Sequence, residues 1–144
     1  MIGQALVLDA DILIRAVLGR RALDLISRHQ DGTAFFAADE SFADAAKYLP
    51  PIFARRGLDW AIGAAVLNQL PALVQSVDHE VYAAFEAAAR RRIRDQRDWP
   101  VLATALALNC PIWTEDADFF GSGVATWTTG TVSLYLAPPP PQPS

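Results

Sequence analysis

The sequence predicts a single α/β domain: a three-layer α/β/α sandwich in which helices cover both faces of a mostly parallel sheet of four to five strands. Short apolar runs alternate along the chain with segments whose apolar residues recur at helical spacing. The first run, residues 5–8, is apolar throughout, as in parallel strands buried on both faces. The 144 residues, 52% of them hydrophobic, can build one core but are too few for two.

Five apolar runs are the predicted strands. Asp9 and Asp11 cut off the first run, and the second leads into Asp39, a residue type that favours the N-cap of a helix. Pro71 closes the helix before the third run, and the turn that begins at Glu115 follows the fourth. In chain order, the runs cover residues 5–8, 33–37, 72–77, 111–114 and 124–127.

The segments between the runs are predicted helices with apolar residues on one side. Gly19 breaks the first into two pieces, and Pro50 and Pro51 stop or kink the second. Asp98 is the predicted N-cap of the last helix, with Pro100 in its first turn. In chain order, the helices cover about residues 12–30, 40–49, 58–70, 79–93 and 99–108.

Residues 1–137 are the predicted domain, and residues 138–144 are a predicted flexible tail. The consecutive prolines of the tail favour polyproline II over a place in the core. The acids that follow residue 8 interrupt the apolar N-terminus too early for a secretory signal. Residues 60–77 are lightly charged but contain Asn, Gln and Pro, so we expect no membrane-spanning segment.

Charge and cysteine content limit the classes of function. The 12 basic residues are Lys47 and eleven arginines, and the 16 acids bring the formal net charge to -4. No basic tail is present, so any contact with nucleic acid must come from a local arginine patch. The lone Cys110 excludes an internal disulfide and a multi-cysteine zinc site. It fits a reducing compartment, and we expect a cytoplasmic protein.

Acids follow three of the predicted strands, and a further acid begins the last helix. Because ligands in open α/β sheets bind outside the carboxyl ends of the strands, these carboxylates should converge there. Converging carboxylates repel one another unless a cation neutralises them, and oxygen ligands suit Mg²⁺ or Mn²⁺. Such a cation supports hydrolysis of phosphodiesters. The acids in question are Asp9, Asp11, Glu40, Asp44, Asp98, Asp116 and Asp118.

Three segments resemble the PIN-domain family. They are Val-Leu-Asp-Ala-Asp-Ile-Leu at residues 7–13, Asp-Trp-Pro at residues 98–100 with the Ala-rich helix behind it, and Trp-Thr-Glu-Asp-Ala-Asp-Phe-Phe-Gly at residues 113–121. The resemblance covers nearly the whole chain up to the proline tail. It implies an endoribonuclease that uses Mg²⁺ or Mn²⁺, of the kind found as the toxin in type II toxin–antitoxin modules. It further implies an RNA substrate, a protein antitoxin and a homodimer.

The resemblance assigns roles to individual residues. Asp9 matches the first acid of the family, Asp98 the acid that opens the Ala-rich helix, and Asp116 the acid after Thr114. Thr114 matches a hydroxyl residue that orients water or phosphate near the metal. A residue that ends a strand or caps a helix is the plain structural alternative for each acid.

The second acid of the family is usually a glutamate, and here the sequence departs from the pattern. The best alignment places Asp44 at that position, with one methylene fewer, and Glu40 one helical turn earlier can substitute for it. Asp11 stands where the family often has asparagine. Asp11 and Asp118 are candidates for direct metal ligation or for solvated roles.

A run of arginines leads up to Asp98. Arginine forms bidentate contacts with phosphate, so Arg90, Arg91, Arg94 and Arg97 are candidates for RNA binding. The competing interpretation is a solvated helix face.

Two alternative functions remain at this stage. A PIN-like module with little or no catalysis would keep the fold and bind RNA or protein without metal. A haloacid-dehalogenase-like phosphatase is suggested by Leu-Asp-Ala-Asp at residues 8–11, which looks like the aspartyl nucleophile motif of that family. Its chemistry also needs a basic residue at the phosphoryl group, whereas Lys47 lies within a predicted helix.

Overall fold

Five parallel strands form one sheet in the computed structural model, which describes residues 3–136. The strand order is β3-β2-β1-β4-β5, and every neighbouring pair is parallel. The predicted α/β class and the parallel sheet are therefore confirmed. The strands are β1 (Gln4–Leu8), β2 (Thr33–Ala38), β3 (Val74–Val77), β4 (Ile112–Trp113) and β5 (Thr126–Trp127).

The central strand is buried on both faces. In β1, Leu6 and Leu8 belong to the hydrophobic core on one side of the sheet, and Val7 belongs to the core on the other side. Trp113 and Ile112 of β4 divide between the same two cores. The alternation follows from the two-residue period of a strand, and it produces a layer of helices on each face.

Eight α-helices cover the two faces of the sheet within residues 3–136. On the face of Leu6 lie α1 (Ala10–Leu18), α2 (Arg21–His29), α3 (Asp39–Arg55), α4 (Trp60–Gln69) and α8 (Val132–Leu136). On the face of Val7 lie α5 (His79–Tyr82), α6 (Glu86–Arg92) and α7 (Trp99–Leu108). Short 3₁₀ turns cover Leu70–Ala72, Ala83–Phe85, Gln96–Asp98 and Ala117–Phe119.

Helix α3 is longer than its sequence predicts. Pro50 and Pro51 lie inside it, and the helix continues through them to its end. Leu49 and Phe53, one turn apart, are both buried in the core on the α3 side of the sheet. Their burial holds the chain helical although each proline removes a backbone donor. Of the two predicted effects, a stop or a kink, the stop is therefore wrong.

The start of α3 also differs from the prediction. Ala38 occupies the N-cap position, and Asp39 is the first helical residue. The carboxylate of Asp39 accepts hydrogen bonds from the backbone N–H groups of Glu40 and His79 and from the hydroxyl of Tyr82. Asp39 therefore joins α3 to α5 across the sheet edge instead of capping its own helix.

The predicted helix over residues 79–93 is divided in two. A 3₁₀ turn separates α5 from α6, and its 3.0 residues per turn change the direction of the side chains. Tyr82 and Ala89 remain buried, whereas Val81 and Phe85 are exposed. The apolar side predicted for the helix over residues 79–93 is thus only partly buried.

The order of the strands reverses beside β1. The chain moves from β1 to β2 and β3 on one side, and then returns to add β4 and β5 on the other. Leu8 and Trp113 are register partners at the carboxyl ends of β1 and β4. Asp9 and Thr114, which follow them, are thereby placed side by side at a topological switch point, where ligands bind in such sheets.

Two further expectations concern the membrane and the tail. None of the helices between residues 3 and 136 combines the length and the apolar character needed to cross a bilayer. The predicted tail at residues 138–144, and the predicted domain boundary at residue 137, lie outside the described residues.

Candidate active site

A pocket of about 370 Å³ opens at the carboxyl ends of β1 and β4. Its lining contains seven carboxylates and one guanidinium, and we refer to it as the acid pocket. A concave site with this excess of negative charge suits a cation far better than an anion. The charged residues that line it are Asp9, Asp11, Glu40, Asp44, Asp98, Glu115, Asp116 and Arg97.

Asp9 is the most deeply buried acid of the pocket, with 7% of its surface exposed. It caps α1, and its Oδ1 accepts a hydrogen bond of 3.0 Å from the backbone N–H of Ile12. Its Oδ2 accepts a hydrogen bond from the hydroxyl of Thr114. Burial raises the pKa of Asp9 to about 6, although these two hydrogen bonds oppose the rise.

Thr114 connects the ends of the two central strands. Its buried hydroxyl donates to Asp9 and accepts a hydrogen bond of 3.0 Å from the backbone N–H of Asp116. Asp116 in turn uses Oδ1 to accept from the backbone N–H of Asp118 and so caps the 3₁₀ turn that follows β4. The predicted hydroxyl residue therefore directly fixes the positions of two predicted acids.

Asp98 begins α7 and lies half-buried in the same pocket. Its Oδ2 is buried and has no hydrogen-bond partner among residues 3–136. Burial, and then the negative charge of Asp116, raise the pKa of Asp98 to about 7. The charges of Asp95, Asp9 and Asp118 add to this shift.

Asp98 also belongs to a second group of acids beside the pocket. One carboxylate oxygen each of Asp95, Asp98 and Asp118 lies within 4.8 Å of the others. Asp95 is bound to Arg97, and the carboxylate and guanidinium atoms approach to 2.9 Å. Asp98 thus lies in the acid pocket with Asp9 and Asp116, and it also lies close to Asp95 and Asp118, which are outside the lining of that pocket.

Both candidates for the second acid line the pocket. Glu40 and Asp44 lie one turn apart on α3, and the buried Ser41 lies between them in the lining. Asp44 is half-buried, and burial raises its pKa although the charge of Lys47 opposes the shift. The structure brings both acids to the pocket, so the choice between them stays a prediction.

The outer rim of the pocket contains Asp11 and Glu115. Asp11 is exposed and pairs with Arg15 at 2.8 Å, one turn later on α1. Glu115 accepts a hydrogen bond of 2.6 Å from the backbone N–H of Thr129. Both carboxylates are therefore already bound to protein donors, unlike the buried Oδ2 of Asp98.

The residues of the pocket fit a divalent cation. The donors are carboxylate oxygens, and Asp98 presents one that is buried and unsatisfied within the described chain. A buried oxygen without a partner is costly, and a hard cation would satisfy it while neutralising the neighbouring acids. Asp98 presents this oxygen, Asp9 and Asp116 line the same pocket, and Asp95 and Asp118 each offer a carboxylate oxygen within 4.8 Å of one of Asp98.

Comparison with known proteins decides the family. The family model described as PIN domain matches residues 7–137. The chain belongs to the PIN-domain family. The predicted resemblance is therefore confirmed, and the acid pocket is the pocket of a PIN domain. No match was found among curated protein sequences.

Solved structures share the fold of this PIN domain. PAE2754 from Pyrobaculum aerophilum is 20% identical, with a TM-score of 0.70 over 95% of this chain and 91% of that one. VapBC2 from Rickettsia felis, bound to a DNA fragment from its promoter, is 10% identical, with a TM-score of 0.67 over 87% and 98%. A toxin–antitoxin complex from Klebsiella pneumoniae is 20% identical, with a TM-score of 0.54 over 85% and 96%.

The arginines predicted to bind RNA divide into two pairs. Arg97 lines the acid pocket while paired with Asp95. Arg90 pairs with Glu86 and lies 5.2 Å from the ring centroid of Trp99, in a second pocket that shares two acids of α3 with the first. The other two arginines are exposed and lie outside the lining of both pockets: Arg91 and Arg94.

Sequence reasoning missed Ser41 and Glu115 as parts of the PIN-domain pocket. Ser41 lies three residues before Asp44, a spacing that places both on one helix face. Glu115 directly follows Thr114 at the end of a strand, so the rule that located Asp116 applied to it too. Both signals were present in the sequence.

Proposed function

We propose that this PIN-domain protein is an endoribonuclease that depends on Mg²⁺ or Mn²⁺. The observation that carries the proposal is the buried, unpartnered Oδ2 of Asp98 beside Asp9 and Asp116 at the switch point of the sheet. A PIN domain with this carboxylate arrangement is suited to metal-assisted hydrolysis of phosphodiesters.

The residues of the pocket divide the work among them. Asp9, Asp98 and Asp116 hold the cation, with Asp44 or Glu40 as a further acid and Asp118 near Asp98. A cation bound there would supply Lewis-acid chemistry, namely a polarised phosphoryl oxygen and a lower pKa of bound water. Thr114 keeps Asp9 and Asp116 in position.

The arginines on the α6 side are proposed to approach the RNA backbone. Arg97 already lines the acid pocket, and Arg90 lies in the pocket next to it. Arginine donates two parallel hydrogen bonds to a phosphate, which orients the strand for cleavage.

The solved toxin–antitoxin complexes with this fold suggest a cellular role. We propose that the protein is a cytoplasmic toxin neutralised by a protein antitoxin, because a solved structure with this fold, from Klebsiella pneumoniae, is a toxin–antitoxin complex. Expression alone should slow cell growth, and co-expression with the product of a neighbouring small gene should restore it. Growth that is unaffected by expression would contradict the toxin role.

A homodimer is part of the same proposal. A homodimer would cover apolar side chains that the single chain leaves exposed, and Ile62 of α4 is 66% exposed. Leu134 of α8 is 75% exposed. Analytical ultracentrifugation should detect a dimer, and a stable monomer at micromolar concentration would contradict it.

The phosphatase alternative lacks its basic residue. The ammonium group of Lys47 lies over the ring of Tyr48, and Lys47 is absent from the lining of the acid pocket. Arg97 is the sole basic residue of that lining, and it is already paired with Asp95. Nothing in the pocket favours an aspartyl-phosphate mechanism over metal-assisted hydrolysis.

Cleavage of a labelled single-stranded RNA tests the proposal. Activity should require Mg²⁺ or Mn²⁺ and disappear in EDTA. Asp116→Asn should lower the cleavage rate by more than roughly 100-fold. Removing a residue that only hydrogen-bonds to a metal ligand typically costs roughly 10- to 100-fold, and Asp116 is proposed to bind the metal itself. Asp24→Asn, an exposed position of α2 outside the pocket, is the matched control and should cleave normally. Cleavage that survives EDTA would contradict the metal dependence.

A further inference from the structure

We propose that a second groove, beside the acid pocket, binds phosphates of the same RNA strand that the acid pocket cleaves. Four arginines line this groove, which has a volume of about 650 Å³, and we call it the arginine groove: Arg15, Arg20, Arg21 and Arg56. The inference rests on the proposed function, because it identifies where the substrate of that same site continues.

The groove concentrates positive charge in an acidic protein. Four of the eleven arginines line it, although the formal net charge of the chain is -4. Arg15 is paired with Asp11, and Arg21 donates to the backbone oxygen of Thr129 at 3.4 Å. The side chains of Arg20 and Arg56 make no ion pair or hydrogen bond within residues 3–136.

These four arginines come together only in the folded chain. Arg15 lies on α1, Arg20 and Arg21 at the start of α2, and Arg56 at the end of α3. Arg90 and Arg97, on the opposite side of the acid pocket, are each paired with a carboxylate. Among the arginines that line these three pockets, those without any partner in the described chain therefore lie in the arginine groove.

The groove is continuous with the acid pocket. Asp11 and Glu115 line both, so a strand leaving one enters the other directly. Glu115 accepts a hydrogen bond from the backbone N–H of Thr129, which also lines the groove. The boundary between the pocket and the groove is thus fixed by contacts with the protein.

The negative charge of the acid pocket explains why RNA binding needs positive charge nearby. The acid pocket repels the RNA backbone, and a single divalent cation cannot neutralise its seven carboxylates. Arginines attract the backbone by releasing its counterions, and they add this attraction where the strand leaves the cleavage site.

The side chains that line the groove also suit single-stranded RNA. Ile14, Leu18 and Ile52 are half-buried in its lining and offer an apolar surface to bases and riboses. Arginine side chains pair with phosphates and stack on bases. A groove that combines apolar side chains with guanidinium groups matches the two faces of an unpaired strand.

The test compares two double variants with the same change in charge. Arg20→Gln with Arg56→Gln removes the two unpaired arginines of the groove. Arg28→Gln with Arg55→Gln is the matched control, since these exposed arginines lie on the same two helices but outside the groove. Circular dichroism establishes that both variants are folded.

Binding is measured by fluorescence anisotropy of a labelled single-stranded RNA in EDTA, over a series of NaCl concentrations. No cleavage occurs without metal, and binding then depends on the arginines. The groove variant should bind more weakly, and its plot of log affinity against log salt should be shallower by about 1.4, because each lost phosphate contact removes about 0.7. The control variant should keep the wild-type slope.

The outcomes separate this inference from the proposed function. Equal affinity and slope in the groove and control variants would overturn the groove, even if the wild type cleaves RNA. So would undetectable binding of RNA by the wild type at low salt. If the groove variant binds RNA normally but no longer binds a protein partner, the groove belongs to that partner and the inference is overturned. A shallower slope in a protein that fails to cleave would support the groove and contradict the nuclease.

Discussion

At the scale of single residues, Thr114 links the two carboxylates that follow the central strands. Its hydroxyl has one proton, which goes to Asp9, and it accepts the backbone N–H of Asp116. The hydroxyl proton is therefore committed to Asp9, and we propose that Thr114 acts as a positioning residue. Its hydrogen bond also lowers the pKa of Asp9 against the effect of burial.

Thr114→Val should raise the pH at which RNA cleavage reaches half of its maximum. The valine keeps the volume but loses the hydrogen bond, so the pKa of Asp9 rises further and more alkaline pH is needed to ionise it. The free energy of unfolding should fall by about 1–3 kcal/mol. A pH–rate profile measures the shift, and Thr114→Ser should restore it. An unchanged profile in the valine variant would refute the positioning role.

The pKa of Asp98 predicts how stability depends on pH when no metal is present. Its folded pKa of about 7 exceeds its ordinary value of 3.8, so the folded state binds more protons than the unfolded state between these values. Stability is therefore full below this window and declines as pH rises through it.

Asp98→Asn should remove part of that decline. Chemical denaturation at several pH values should show a shallower dependence for the variant than for the wild type, and a higher thermal midpoint for the variant at neutral pH. The reason is that the amide carries no charge for burial to penalise or for Asp116 to repel. A steeper or unchanged pH dependence in the variant would contradict the cause given for the pKa shift.

At the scale of elements, the first two turns of α3 present Glu40 and Asp44 to the pocket. They are separated by about 6 Å along the helix axis. We expect Asp44→Ala to abolish metal-dependent cleavage, since Asp44 is the more buried of the two, and Glu40→Ala to leave most of it. Asp44→Glu should keep or improve activity. Rates that depend on Glu40 instead would identify it as the second acid.

Element boundaries followed from the sequence where local chemistry determines them. The break at Gly19 and the end of α7 at Asn109, which adopts a left-handed conformation, are both confirmed. Predictions from local sequence were wrong where packing in the hydrophobic core determines the backbone instead. Pro50 and Pro51 lie inside α3 because the residues around them are buried in the core. The five-residue α8 has no periodic pattern long enough to predict it.

At the scale of the whole molecule, the parallel topology assembles the candidate site. Asp9, Asp98 and Asp116 are far apart in sequence, yet each follows a strand or begins a helix at the same edge of the sheet. The acid pocket was predictable because ligands in open α/β sheets bind outside the carboxyl ends of the strands. The arginine groove was not predictable, because its residues follow no strand and meet only through the packing of α1, α2 and α3.

The central claim is that the acid pocket binds a divalent cation through Asp98 and its neighbours. Isothermal titration of the metal-free protein with Mn²⁺ at about pH 6.5, in buffers of different ionisation enthalpy, tests it most directly. The wild type should bind Mn²⁺ and release protons, because burial keeps Asp98 and Asp9 partly protonated at that pH. Asp98→Asn should bind at least about tenfold more weakly and release fewer protons, whereas Asp24→Asn should match the wild type. Absence of Mn²⁺ binding by the wild type, or equal affinity and proton release in Asp98→Asn, would contradict the account.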